Sequence, residues 1–197
     1  NTISMAVAAL TDHDAIHRSL VLPFRFTTAY DSVARAEAAG NAAGRAQQLL
    51  LVAIDTAVGI AVDNVPDFPG ATLVVIDCSS SMGNDFDEPK GKASLFAAAI
   101  LRRNVMADVM GFGETAKYIT VSPDNTLLTI ADTLRGSNHG VAHSTNFHAI
   151  FETAAKTRRS YDRIIILSDM QGWVGHRNPT AAFNTYCKVV GKRPKVF

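Results

Sequence analysis

The sequence predicts an α/β fold: an open, mostly parallel sheet covered by helices, with a helical N-terminal extension. Three observations lead there. The apolar runs Ala71 to Ile76 and Ile164 to Leu167 read as strands buried on both faces, as in parallel sheets. Segments of helical length and periodicity lie between and after them, so strand and helix alternate. Before residue 70 the pattern is helical throughout, and the rigid stretch Val65-Pro66-Asp67-Phe68-Pro69-Gly70 marks a boundary between 1–70 and 71–197.

Asp12 to Leu20 reads as a short helix, interrupted at Val21-Leu22-Pro23 because proline lacks an amide and disfavours helix in the preceding residue. Thr27 or Thr28 is expected to cap a helix reaching about Ala38. Gly40 and Gly44 flank a small-residue turn. Leu50, Leu51, Ile54, Val58 and Val62 then recur at helical spacing, opposite Gln48 and Asp55, and predict the longest helix. Leu73 to Asp77 is the first strand and Gly91 to Arg103 an Ala-rich helix. Val105 to Gly111 and Ala116 to Val121 are strands around the turn Phe112-Gly113-Glu114. A helix capped by Asp124 or Asn125 follows Pro123. Asn146 to Lys156 is helical, Arg163 to Asp169 a strand, and Thr180 to Val190 a helix.

Composition narrows the function classes. With 197 residues, 47% hydrophobic and 19% charged, the chain can bury one substantial core. A formal net charge of +1 gives no global electrostatic case for nucleic acid, so any RNA binding is local. Two cysteines, Cys78 and Cys187, make no disulfide framework, which points to a reducing, cytoplasmic setting. The apolar passage Leu49 to Val62 is short for a membrane span and holds Asp55, so no membrane partner is expected. Asn1 at the start and Lys195-Val196-Phe197 at the end, the entry to a strand, suggest a fragment or processed product whose domain lacks its C-terminal part.

In open α/β sheets ligands collect beyond the carboxyl ends of the strands. Hard oxygen donors stand at three such places: Asp77, Ser79 and Ser81 after the first strand, Ser144-Thr145-Asn146 before a helix, and Asp169 after Ile164 to Ser168. Carboxylates and hydroxyls in this number suit Mg²⁺ or Mn²⁺, completed by water and an outside oxygen. The plain alternative is that Asp77 and Asp169 cap helices and the serines make turn hydrogen bonds.

Other groupings are weaker. His139 and His143 are four apart with His148 nearby, a zinc-like spacing, but Gly140 argues for a loop. Ser79, His143 and Asp169 include the residue types of a hydrolase triad without a G-x-S-x-G elbow, and no enzymatic turnover is expected. Lys156, Arg158 and Arg159 can contact phosphates or simply suit a helix C-terminus, as can Arg102-Arg103 and Lys192-Arg193-Lys195. Phe24, Phe26 and Tyr30 suit packing better than base stacking, which leaves Arg25 as the more credible phosphate contact.

The D-x-S-x-S arrangement at Asp77, Ser79 and Ser81, with Thr145 and Asp169, resembles the metal-ion-dependent adhesion site (MIDAS) of von Willebrand factor A domains, whose sheet is of Rossmann type. Leu22-Pro23-Phe24-Arg25-Phe26-Thr27-Thr28-Ala29-Tyr30, a long helix, and Pro69-Gly70 before the metal motif are similar to the Ro (TROVE) family. In that family a ring of helical repeats binds RNA and an A-type domain closes the ring. The resemblance implies that 1–70 correspond to the last helices of the ring and its connector. It implies hydroxyl ligands Ser79, Ser81 and Thr145, with Asp77 and Asp169 acting directly or through water. It also implies a ribonucleoprotein role with RNA as partner, and Mg²⁺-dependent docking of a protein partner's acidic group. Ser80 and His143-Ser144 replace glycines usual in the family, so stiffer loops or a weaker ion are expected. A second chain completing the domain would suit its truncated end. The rival function is a metal-dependent interaction or assembly module without RNA.

Overall fold

The computed structural model of the chain describes residues 2–136, 139–170 and 178–197. Four helices come first: α1 (Thr2–Leu10), α2 (His13–Ser19), α3 (Phe24–Ala34) and α4 (Asn41–Ala61). Then follow β1 (Thr72–Asp77), α5 (Pro89–Arg103), β2 (Ala107–Phe112), β3 (Ala116–Ile119), α6 (Leu127–Arg135), α7 (Phe147–Thr157), β4 (Arg163–Leu167), α8 (Pro179–Val190) and β5 (Lys195–Val196).

The sheet runs in the order β3-β2-β1-β4-β5. All neighbours are parallel except β2 and β3, which are antiparallel. β1 is central and wholly buried. Its side chains alternate between faces, so Val74 and Ile76 join Leu95, Ile100 and Ile130 on one side. Leu73 and Val75 join Ile150, Phe151 and Tyr186 on the other. Helices thus cover both faces, which is why the β1 sequence is uniformly apolar rather than alternating.

The helical extension shares the core of the first face. Ile54 and Val58 in the later turns of α4, and Val62 just after it, cluster with Leu95, Ala98 and Leu134. With the 3-10 turn Val62–Asn64, α4 forms a 24-residue helical segment, long and apolar enough by length and composition to cross a bilayer. This corrects the shorter Leu49 to Val62 estimate. Gly44 does not break the helix; its N–H bonds Gly40 O (3.0 Å), and Gly40, at φ 88°, makes the turn.

Several sequence expectations shift locally. Thr27 is no cap: it lies buried inside α3, its hydroxyl donating to Phe24 O (2.8 Å). Pro23 starts that helix, where its missing amide costs nothing, and the helix ends at Ala34, short of Ala38. Thr126, rather than Asp124 or Asn125, caps α6 by accepting from Thr129 N–H (3.3 Å). β2 begins at Ala107, leaving Val105 and Met106 exposed in the turn before it. In β4 only Ile164 is buried, the rest being half-covered. Its outer side carries only the two-residue β5, so the apolar run serves pairing with β1 more than full burial.

Candidate metal and docking site

β1 delivers Asp77 to the carboxyl end of the sheet with its side chain at 0% exposure. A buried carboxylate requires hydrogen-bond donors. Asp77 Oδ1 accepts the Ser79 N–H (2.9 Å), and Oδ2 accepts the Ser168 hydroxyl (2.6 Å) from the end of β4. The chain then turns tightly over Ser80–Met82. Ser79 is buried and Ser81 exposed, and their hydroxyl oxygens lie 3.2 Å apart. Two hydroxyls on one loop, one inside and one facing solvent, form a hard-donor pair above a fixed negative charge.

The second loop is tied to the first. Ser80 N–H reaches His143 O (3.4 Å), and Asn146 N–H donates to Gly113 O (2.9 Å) in the β2–β3 turn. Asn146 also caps α7 by accepting from His148 N–H (3.1 Å), which places buried Thr145 just ahead of the helix. Gly113 is required there: a Cβ would meet Ala142 O at 2.2 Å. Asp169 follows Ser168 and is half-buried, while Met170 N–H bonds back to Ser168 Oγ (3.0 Å) with Met170 in the left-handed region at φ 62°. The structure thus joins the loops carrying Asp77, Ser79, Ser81 and Thr145, and brings Asp169 beside them through Ser168.

Among the described residues no group of three His, Cys, Asp or Glu side chains gathers as a metal site. His139, His143 and His148 do not form the zinc cluster their spacing allows; His139 Nε2 instead lies 2.8 Å from Leu134 O. The carboxylate and hydroxyl oxygens of the Asp77 loop are hard donors, a type that suits hard divalent cations.

Two residues of the site escaped the sequence reading. Ser168 pins Asp77, and its only sequence signal is its place immediately before Asp169. Lys90, in the first turn of α5, has a side chain that is 1% exposed and donates to Asn84 Oδ1 (3.2 Å). Burial pushes its pKa below the lysine range, and the neighbouring Cys78 and Asp77 oppose that. Burial likewise pushes the Cys78 thiol up to about 11, with Lys90 opposing. A lysine near a helix N-terminus works against the helix dipole, which was the available clue.

The candidate phosphate contacts lie elsewhere. Lys156 and Arg158 are exposed at the end of α7, before β4 begins, hence at the amino end of the sheet. Arg159 ion-pairs with Asp108 (3.0 Å) and lies over the Tyr118 ring (4.2 Å). Tyr161 donates to the same Asp108 carboxylate (2.6 Å) and also lies 3.1 Å from the Tyr118 hydroxyl; burial drives its own pKa far upward. Arg25 is exposed on α3, near the ring of its neighbour Phe24.

A parallel α/β sheet with a D-x-S-x-S loop at the carboxyl end of its central strand, and hydroxyl and carboxylate loops beside it, defines a von Willebrand factor A-like domain. Residues 71–197 match the family described as the Ro60 vWA domain, and the chain belongs to that family. Across 202 aligned residues it is 25% identical to the RNA-binding protein RO60 of Deinococcus radiodurans, covering 99% of this chain and 38% of that protein. The crystal structure of the Deinococcus radiodurans RO (RSR) protein superposes with a TM-score of 0.76 at 24% identity, over 100% of this chain and 40% of that one. The chain therefore spans about two fifths of the length of these relatives.

Proposed function

We propose that this chain is the A-type module, with adjoining helices, of a Ro-like ribonucleoprotein component, and that its D-x-S-x-S loop is a Mg²⁺- or Mn²⁺-dependent docking site. The observation that carries the docking part is the pinned Asp77 beneath the paired hydroxyls of Ser79 and Ser81, the latter facing solvent. Ser79, Ser81 and Thr145 would hold the ion through hydroxyls, with Asp77 and Asp169 acting directly or through water. When bound, such an ion supplies a Lewis-acidic position for an outside carboxylate or phosphate oxygen. This chain's own residues fix the loop, hold the Asp77 carboxylate in place and keep Ser81 accessible.

The RNA part draws support from the relative named an RNA-binding protein and from the four-helix extension that packs onto the domain. Binding of single-stranded and stem-loop RNA, with and without EDTA, tests it on this chain and on a chain extended by flanking sequence. Binding by the extended chain is expected, and binding by neither would refute it.

A second reading is a metal-dependent assembly module that binds no RNA. The net charge of +1, which gives no overall attraction for phosphates, and the engagement of Arg159 by Asp108 favour it. An acidic peptide that binds only with Mg²⁺ present, together with no RNA binding, would select this reading.

A further inference from the structure

Helices α7 and α8 both end at the amino ends of the strands, and the turns that follow them lie side by side. Tyr186 Oη donates to Arg159 O (2.9 Å), Lys192 Nζ to Asp162 Oδ1 (2.6 Å) and Lys195 N–H to Asp162 O (3.1 Å). Joined in this way, 156–162 and 188–193 carry the exposed cations Lys156, Arg158, Arg159, Lys188, Lys192 and Arg193 against a single carboxylate, Asp162. In a chain whose net charge is only +1, that concentration leaves the remainder net negative and makes this face the electropositive one.

Helix ends do not account for the grouping. Lys156 and Lys188 occupy last turns, where the dipole favours them, but the four arginines and lysines beyond lie past the helices, where that effect has faded. Internal pairing does not account for it either. Arg159 pairs with Asp108 and Lys192 with Asp162. Arg193 donates only to the neutral Asn184 Oδ1 (3.1 Å), and Lys156, Arg158 and Lys188 form no ion pair among the described residues. Four charges are therefore left uncompensated.

The shape of the surface selects the partner. At the end of α8 is an open depression of about 440 Å³, lined by Asn184, Cys187, Lys188, Gly191, Lys192 and Arg193. A protein partner is held chiefly by aromatic and apolar anchors set in pockets, and no aromatic or branched aliphatic side chain lines this one. A phosphodiester backbone presents acceptors and needs donors. Lys188 and Arg193 supply them, as does the Asn184 amide, whose oxygen is already spent on Arg193. Arg193 lies over the Phe183 ring (4.9 Å) and Arg159 over the Tyr118 ring (4.2 Å), which holds their planar forks in the orientation that suits phosphate oxygens.

We propose that the paired turns after α7 and α8 bind the phosphate backbone of a single RNA strand. The proposal rests on the RNA reading above and gives it a surface on this chain. That surface is at the opposite end of the sheet from the D-x-S-x-S loop, so strand and ion are held independently.

Fluorescence anisotropy of a labelled oligouridylate with the whole chain, between about 50 and 200 mM salt, tests it. Four uncompensated cations at about 0.7 per single-strand contact predict a slope of log affinity on log salt near −3. The triple variant Lys156→Gln, Arg158→Gln, Lys188→Gln should make the slope shallower by about two and weaken binding at least about tenfold, with thermal melting unchanged. A charge-matched control, Arg18→Gln with Arg45→Gln and Lys92→Gln, and addition of EDTA should each leave binding as it is. Equal binding by wild type and the triple variant would overturn the surface while leaving the RNA reading intact. Absence of binding by wild type would also overturn it, and the RNA reading would then stand or fall on the chain extended by flanking sequence. Loss of binding with EDTA would move the strand to the ion loop, and equal competition by polyglutamate would assign the turns to an acidic protein; either result contradicts the proposal.

Discussion

Asp77→Ala is the substitution whose cost the structure specifies most fully. The wild-type carboxylate is inaccessible to solvent and accepts one hydrogen bond through each oxygen, at 2.9 Å from Ser79 N–H and 2.6 Å from the Ser168 hydroxyl. Hydrogen bonds to a charged group are worth about 1.5–3 kcal/mol each, which gives roughly 3–6 kcal/mol gross. Removing a buried charge returns part of that, since its desolvation no longer opposes folding. The expected net loss is about 2–4 kcal/mol, read as a lower urea midpoint at unchanged slope. Asp77→Asn keeps the shape and one acceptor, so it should lose about half as much. An Asp77→Ala protein within about 0.5 kcal/mol of wild type would refute the claim that this carboxylate organises the loop.

Other substitutions probe different contacts. Gly113→Ala forces a Cβ to within 2.2 Å of Ala142 O, so the β2–β3 turn and the Thr145 loop must separate; about 2–4 kcal/mol should be lost in urea unfolding. Lys90→Met removes a buried positive charge near Asp77 and should tighten Mn²⁺ binding on the order of tenfold by calorimetry, provided its fold is intact by circular dichroism. Asp162 is held below the usual carboxylate range by Lys192 and then by Ala71 N–H, and Glu88 by the Asp85 and Asn84 amides. Their folded pKa values are depressed, so their stabilisation is present above the unfolded pKa, near 4, and is lost as pH falls below it. Burial raises Asp31 and Asp55, which act in the opposite sense. The test is therefore a difference: Asp162→Asn should flatten the decline in urea midpoint between pH 5 and 3, and an unchanged profile would count against the assigned bonds.

Much of the architecture was legible because it rests on local rules. β1 and β4 announce themselves as β-branched runs, and their parallel pairing follows from the helices between them. The helices expected from Asp12 and from Asn146 are present, with those two residues as their N-caps rather than their first helical residues. The failures share a cause in tertiary contacts. Thr27 has a cap residue's chemistry, but Pro23 already starts the helix and Thr27 faces the interior. Gly44 breaks helices by propensity, yet α4 runs through it because its later turns pack on α5 and α6. The proximity of Asp77, Ser79 and Ser81 was readable because one loop supplies them. Ser168 and Lys90 were not, since each acts only once folding brings a distant strand or helix against Asp77.

The central claim is that the D-x-S-x-S loop holds a divalent ion with one position open to a partner. Calorimetric titration of Mn²⁺ into wild type and Ser79→Ala, with thermal melting as the control for folding, tests it most directly. The account predicts one saturable site in wild type and its loss in a Ser79→Ala protein that melts like wild type. Equal Mn²⁺ binding by both proteins, or none by wild type, would contradict it.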